Sequence, residues 1–129
     1  MITTISVVNS FSVDDIEKAK DFYINILGLK LENEDMGLSF ILPGGGKLLV
    51  YNKSDHQPAT FTVLNCVVDD IEKAVDELAQ QGVKFEIYDN LPAKQDERGI
   101  LRGLSVNQGP DIAWFKDPAG NIISALQDK

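Results

Sequence analysis

A heptapeptide that occurs twice constrains the fold of this chain more than any other feature of its sequence. Residues 13–19 read Val-Asp-Asp-Ile-Glu-Lys-Ala, and residues 68–74 repeat them without a change, 55 positions later. In each copy an apolar segment leads into an acidic pair, after which apolar residues recur at helical spacing. An internal repeat of this kind predicts that the chain consists of two copies of one structural unit.

The length of the chain indicates how the two copies are organised. At 129 residues the chain is long enough to bury a core without disulfides, whereas a unit of about 55 residues would be marginal alone. We therefore expect a single domain made of two modules. Module one occupies residues 1–53, a polar linker that contains Pro58 occupies residues 54–59, and module two occupies residues 60–129.

Charge and composition exclude several classes of function. Twenty acidic and 12 basic residues give a formal charge of −8, which disfavours contact with nucleic acid or an anionic membrane surface. The start of the chain does not read as a signal peptide, and no apolar run approaches the roughly 20 residues of a membrane span. Cys66 is the only cysteine, which fits a reducing compartment. We expect a cytoplasmic protein.

The first module is predicted to be βαβββ. Residues 5–13 are rich in Val, Ile and Phe, which is typical of a strand, and they alternate between an apolar face and a more polar face. Asp14 is the predicted N-cap of a helix, with Glu17 at the capping-box position. The helix is expected to end at Gly28. Three more strands are predicted at residues 29–31, 38–42 and 48–51.

The second module repeats this order with two differences. A strand at residues 60–68, a helix that ends at Gly82 and a strand at residues 83–88 follow one another. The distance from the second aspartate of the acidic pair to the terminal glycine is 13 steps in the first module and 12 in the second. Residues 89–103 have no counterpart of equal length and are predicted to form a lid or mobile loop. A hairpin around the turn Asp117-Pro118-Ala119-Gly120 closes the chain.

These features together resemble the vicinal oxygen chelate superfamily, which includes glyoxalase I, extradiol dioxygenases, fosfomycin-resistance proteins and bleomycin-binding proteins. The resemblance covers nearly the whole chain. Its motifs are the two βαβββ units, Phe22-Tyr23 with Leu27-Gly28-Leu29, and residues 115–121, Phe-Lys-Asp-Pro-Ala-Gly-Asn. It implies an α+β fold in which two βαβββ modules in tandem curl mixed sheets around a cleft, with the helices outside. It also implies a homodimer, because members of this size commonly pair.

The resemblance raises the question of a metal. Enzymes of the superfamily hold a divalent cation through His or Glu on the first and last strands of each module. Counting from the acidic pairs and from the closing turn places these positions at Val8, Val63 and Ser124, and near Val50. Valine and serine are not ligands for a catalytic divalent cation at such a site. We therefore expect no metal cofactor, and we interpret His56, the only histidine, as a solvated imidazole of the linker.

Two hypotheses about function follow. The first is a metal-free protein that sequesters a small molecule in the cleft, similar to the bleomycin-binding branch. Its candidate contacts are aromatic walls, hydrogen-bonding groups and loop cations: Phe40, Tyr51, Tyr88 and Trp114; Ser10, Asn65 and Ser124; Arg98 and Arg102. The negative charge of the protein favours a cationic ligand, which the loop carboxylates Asp89, Asp96 and Glu97 would attract.

The second hypothesis is an enzyme of the lyase, isomerase or dioxygenase type. It would use a displaced metal or metal-free acid/base chemistry, and it therefore needs a titratable group in the cleft. The first strands of the two modules offer no such group. A regulatory or purely structural role is a third possibility that the residues leave open. The residues favour binding over catalysis, and no catalytic residue is assigned.

Overall fold

A computed structural model describes all 129 residues and divides them into two compact units, Met1–Pro58 and Ala59–Lys129. Each unit contains one main helix and one four-stranded mixed sheet, so the α+β fold of tandem βαβββ modules is confirmed. None of the helices has the length and apolar character that a membrane span requires.

The first unit begins with strand β1 (Val8–Val13) and helix α1 (Ile16–Asp21), which continues into a π-helical turn (Phe22–Ile26). Strands β2 (Lys30–Asn33), β3 (Leu38–Ile41) and β4 (Lys47–Asn52) complete it. The order in the sheet is β1-β4-β3-β2, with β1 parallel to β4 and the other pairs antiparallel. The first and last strands of the module are therefore neighbours.

The second unit has the same topology. It consists of β5 (Thr62–Val67), helix α2 (Ile71–Gln80), β6 (Leu101–Arg102), a 3₁₀ turn (Leu104–Val106), β7 (Asp111–Lys116) and β8 (Ile122–Gln127). The order in the sheet is β5-β8-β7-β6, and β5 runs parallel to β8. Each module thus places the strand before its helix beside its closing strand.

The strand predicted at residues 83–88 is not formed. Only Phe85 bridges to β7, and the Glu86 N–H donates to the carbonyl of Trp114 at 2.8 Å. Beyond that point a side chain replaces the missing strand partner, because Gln95 accepts from the Tyr88 N–H at 2.8 Å and donates to the Glu86 carbonyl at 3.0 Å. The short strand β6 pairs with the other part of β7.

The repeated heptapeptide caps both helices in the same way. Asp15 and Asp70 each accept a hydrogen bond of 3.1 Å from the backbone N–H three residues later. The predicted N-cap, Asp14, is therefore wrong by one residue. With Asp15 as the cap, the third helical residue is Lys18, so the capping box predicted with Glu17 is also absent.

Side-chain alternation gives each sheet a face that its own helix covers and a face turned away from that helix, which we call the distal face. On the covered face of the first sheet, the ring of Tyr23 lies 5.8 Å from that of Phe11 and 6.0 Å from that of Phe40. On the covered face of the second sheet, Phe115 is fully buried and its ring lies 5.8 Å from that of Phe85. The distal face of the second sheet carries the candidate site.

Candidate functional site

The distal face of the second sheet brings four of the predicted residues together. In the strand register Asn65 lies opposite Ser124, and Ser124 lies opposite Trp114, so the three side chains share one face. Tyr88 joins them from the segment before the loop, with its ring 5.6 Å from that of Trp114 and tilted by 76°. An edge-to-face pair of this kind is a favourable aromatic arrangement.

Asn65 and Ser124 form the polar part of this face. The Ser124 hydroxyl, which is 0% exposed, donates to Asn65 Oδ1 at 2.6 Å. This bond fixes the orientation of the Asn65 amide and leaves its NH₂ group, which can donate two hydrogen bonds, unused by the protein. Asn65 is exposed, so a ligand on this face can accept from it.

An ion pair lies beside the aromatic pair. Lys116 Nζ is 3.2 Å from Glu86 Oε1, and Lys116 shares the face of Trp114 because it follows two residues later in β7. No pattern in the sequence indicates this pair, because the pair depends on where residues 85–88 pass β7. Burial raises the pKa of the Tyr88 hydroxyl, and the carboxylate of Glu86 raises it further.

The two loop arginines do not face this site. Arg98 contacts the Asp76 carboxylate and the Glu72 carbonyl of α2, while Arg102 lies 2.9 Å from Glu72 Oε1 and 3.3 Å from Asp96 Oδ2. Both guanidinium groups therefore pair with carboxylates of their own unit. Nothing in this arrangement directs them toward an anionic ligand.

The loop predicted at residues 89–103 is anchored over its second part. Gln95 is 8% exposed and donates to the Gly99 carbonyl at 2.7 Å, and Ile100 is fully buried. Residues 89–94 form neither a hydrogen bond nor an ion pair, and most of them are exposed. Residues 87–89 and 91–97 surround a cavity of about 930 Å³. The prediction of a lid or mobile loop therefore applies only to this first part of the segment.

On the first sheet, two of the three predicted cleft residues lie on the distal face and one does not. Ser10 and Tyr51 are on the distal face, opposite Leu49 and Ser12 respectively. Phe40 is 0% exposed on the covered face, where it lies against Tyr23, so its prediction as a cleft wall is wrong.

The position predicted near Val50 is also displaced by one residue. Val50 pairs with Phe11 of β1 and is fully buried on the covered face. Ser10 pairs with Leu49 in the way that Asn65 pairs with Ser124, so Leu49 is the equivalent of Ser124 in the first module. A shift of one residue moves a strand side chain to the other face of its sheet.

The family of the chain is shown by a sequence match to a family model that spans most of the chain. Residues 4–124 match the model of the Glyoxalase/Bleomycin resistance protein/Dioxygenase superfamily. The chain belongs to this superfamily. None of the curated protein sequences matches the chain.

Solved structures of superfamily members have the same fold. TnmS3, an antibiotic binding protein from Streptomyces sp. CB03234, is 27% identical over 99% of this chain and 100% of its own, with a TM-score of 0.67. A glyoxalase/bleomycin resistance protein from the same organism is 25% identical over 95% of this chain and 99% of its own, with a TM-score of 0.62. The fosfomycin resistance protein FosX from Listeria monocytogenes, 15% identical with a TM-score of 0.69 over 100% of this chain and 96% of its own, shows the fold alone.

The residues at the superfamily's metal positions do not fit a divalent cation. With the corrected register these positions hold Val8, Leu49, Val63 and Ser124, which provide neither an imidazole nor a carboxylate. Nowhere in the protein do three or more His, Cys, Asp or Glu side chains form a group that would hold a metal.

His56 differs from the expected solvated imidazole. Its Nδ1 atom lies 2.6 Å from the Ser12 hydroxyl oxygen, and its ring is half-buried. A crevice of about 400 Å³ beside the pair is lined by Ser12, Tyr51, Lys53, Asp55 and Gln57. The contact joins residues 44 positions apart, and no local pattern in the linker predicts it.

Proposed function

We propose that this protein binds a small organic molecule on the distal face of its second sheet, without a metal. The observation that carries the proposal is the edge-to-face pair of Tyr88 and Trp114 next to the hydrogen-bonded pair of Asn65 and Ser124. Sites for small molecules typically combine aromatic and apolar surface with a few fixed polar groups. This face supplies both, and it leaves the Asn65 NH₂ group available to orient the ligand.

The similarity to TnmS3 suggests the class of ligand. That protein is described as antibiotic binding, and its 27% identity to this chain extends over nearly the whole of both. We therefore propose that the ligand is an antibiotic or a similar natural product, with an aromatic part that the Tyr88–Trp114 pair would contact. The formal charge of −8 favours a neutral or cationic compound over an anionic one.

The binding proposal predicts a dominant role for Trp114. A thermal-shift screen of aromatic natural-product antibiotics should identify a ligand that stabilises the protein. For that ligand, calorimetry should show that Trp114→Leu raises the Kd at least about tenfold, because the indole supplies the largest apolar contact of the face. Asn65→Ala should raise the Kd by a smaller factor, about three to tenfold, through the lost donor.

Two controls accompany this experiment. Met36 is 81% exposed and belongs to the first unit, so Met36→Leu changes an apolar side chain outside the proposed site and should leave the Kd unchanged. Saturating EDTA should also leave the Kd unchanged, and elemental analysis after incubation with Ni, Zn, Mn and Fe(II) should find no stoichiometric metal. An unaltered Kd in Trp114→Leu would exclude this face as the site, and a retained metal would contradict the metal-free mode.

The second candidate function is metal-free acid/base catalysis, and the contact of His56 with Ser12 is the observation that favours it. A half-buried imidazole that shares a hydrogen bond with a hydroxyl is suited to move a proton. If this function is correct, any lyase or isomerase activity of the protein should fall at least about 100-fold in His56→Ala. Activity that persists at the wild-type level in His56→Ala would exclude this mechanism.

The expected homodimer and cytoplasmic location belong to the same proposal. Strands β1 and β5 are edge strands of their sheets and expose apolar side chains, among them Val8 at 52% and Val67 at 62%. Exposed apolar edge strands of soluble proteins are often covered by another chain. We propose that a second copy covers them, so sedimentation of the purified protein at micromolar concentration should give the mass of a dimer. A monomeric mass would contradict this.

A further inference from the structure

The Tyr88 hydroxyl is the only buried side-chain nitrogen or oxygen atom of the protein without a hydrogen-bond partner. The ring of Tyr88 is half-buried against Trp114, whereas the oxygen at its tip is shielded from solvent. A buried hydroxyl in this state has lost its bonds to water and has gained none from the protein. A buried polar group without a partner in a native protein needs an explanation. One explanation is that the group bonds to a ligand.

The segment beside Tyr88 has few interactions to hold it in place. Tyr88 lines the cavity of about 930 Å³ together with residues 87, 89 and 91–97. Residues 89–94 form neither hydrogen bonds nor ion pairs, while Gln95 fixes both ends of the segment by accepting from the Tyr88 N–H and donating to the Gly99 carbonyl. Segments with few such bonds open at low cost in free energy. This stretch can therefore move without disturbing the sheet.

We infer that the Tyr88 hydroxyl donates a hydrogen bond to a ring-bound carbonyl of an aromatic ligand, which enters this cavity when residues 89–94 move aside. The inference rests on the proposed function and specifies its ligand: a neutral or cationic aromatic ketone. The ring of the ligand would lie against Tyr88, the cavity residue whose ring contacts that of Trp114, and its carbonyl oxygen would satisfy the one buried hydroxyl that the protein leaves unpaired.

Two observations select a carbonyl and a neutral or positive charge. The Tyr88 hydroxyl has a donor hydrogen that no protein group accepts, and a carbonyl oxygen can accept it; burial and Glu86 raise the pKa of Tyr88, so the hydroxyl keeps this hydrogen near neutral pH. Four charged residues line the cavity, and one of them, Asp96, is paired with Arg102. The carboxylates of Asp89 and Glu97 and the ammonium group of Lys94 form no ion pair. The unpaired carboxylates outnumber the unpaired ammonium group, which disfavours an anion.

The test compares two probes that differ only in the carbonyl: 2-(aminomethyl)fluoren-9-one and 2-(aminomethyl)fluorene. Calorimetry should give a Kd for the ketone about tenfold below that for the hydrocarbon on the wild-type protein, since only the ketone accepts from Tyr88. In Tyr88→Phe the two Kd values should become equal, with the hydrocarbon value unchanged within about twofold. Trp114 is the only tryptophan, so quenching of its fluorescence shows that a probe binds close to it.

A second readout needs no ligand. Tyr88→Phe removes a hydroxyl that makes no bond, so the melting temperature of the unliganded variant should equal or exceed that of the wild type. Ser124→Ala is the matched control, because it removes a hydroxyl that does make a bond and should lower the melting temperature. A lower melting temperature in Tyr88→Phe would show that the hydroxyl already has a partner, and would overturn the inference.

The binding outcomes separate this inference from the function on which it rests. Equal Kd values of the two probes on the wild-type protein, with quenching of Trp114, would overturn the role of the hydroxyl and leave the aromatic face as a binding site. Tyr88→Leu should then weaken both probes, because it removes the ring as well. Binding of neither probe at 1 mM would overturn the ligand class, whereas a hit from the antibiotic screen would still support the proposed function.

Discussion

Replacing Phe40 with alanine is expected to lower the free energy of unfolding by about 3–5 kcal/mol, the range for removal of a buried phenylalanine ring. The side chain is fully buried, lies against Tyr23 and sits opposite Leu48 in the strand register. The loss combines the transfer of the ring to water with the cavity that remains beneath the helix. Urea denaturation of the variant measures this change directly.

Ser39 provides the matched control for this experiment. It is the preceding residue of β3, and it points to the distal face, opposite Leu49. Ser39→Ala should change the free energy of unfolding by less than about 0.5 kcal/mol. If Phe40→Ala instead kept the stability of the wild type, Phe40 would not belong to the covered core, and the register of β3 would be wrong.

The error about Phe40 shows what the sequence left open in the fold. In β1 the alternation of Val, Phe and Ser predicts the covered and distal faces correctly, because the two faces differ in polarity. Residues 48–51, Leu-Leu-Val-Tyr, are apolar on both faces, so no local pattern distinguishes them. The face of Val50 depends on its pairing with Phe11, a contact across 39 residues of chain.

The two helices show how a difference of one residue in spacing changes the helix type. The first module has one residue more than the second between its acidic pair and its terminal glycine. The structure places the extra residue in the π-helical turn, where the Leu27 N–H donates to the Phe22 carbonyl five residues earlier at 3.0 Å. A π-turn accommodates a one-residue insertion in a helix and preserves the packing on either side. The sequence shows the extra residue, but it does not show that the extra residue forms a π-turn.

The contacts of the site that sequence reasoning missed are all between distant residues. His56 with Ser12, and Lys116 with Glu86, join segments 44 and 30 positions apart. The aromatic and polar residues of the second sheet were predicted as separate candidates, and the strand register is what brings Asn65, Ser124 and Trp114 to one face. Residue type thus indicated the chemistry, while pairing across the sheet determined which groups meet.

Replacing Asp117 with alanine is the second change for which we expect a large effect, a loss of about 3 kcal/mol in the free energy of unfolding. One carboxylate oxygen of Asp117 accepts from the Ala119 N–H at 2.9 Å and from the Asn121 N–H at 2.8 Å. The other oxygen accepts from Asn121 Nδ2 at 3.0 Å. Asp117 and Asn121 are both buried, so alanine would leave buried donors without a partner.

Two further variants separate the causes of this loss. Asp117→Asn keeps one carbonyl oxygen as an acceptor and should cost less, about 1 kcal/mol, whereas alanine at the exposed Asp128 should be nearly neutral. Asp117→Ala should also weaken ligand binding, because the turn sets the pairing of β7 with β8 and therefore the position of Ser124 beside Trp114. If Asp117→Ala had wild-type stability but impaired binding, Asp117 would act on the site without stabilising the turn. Its hydrogen bonds to Ala119 and Asn121 would then not explain the loss of binding.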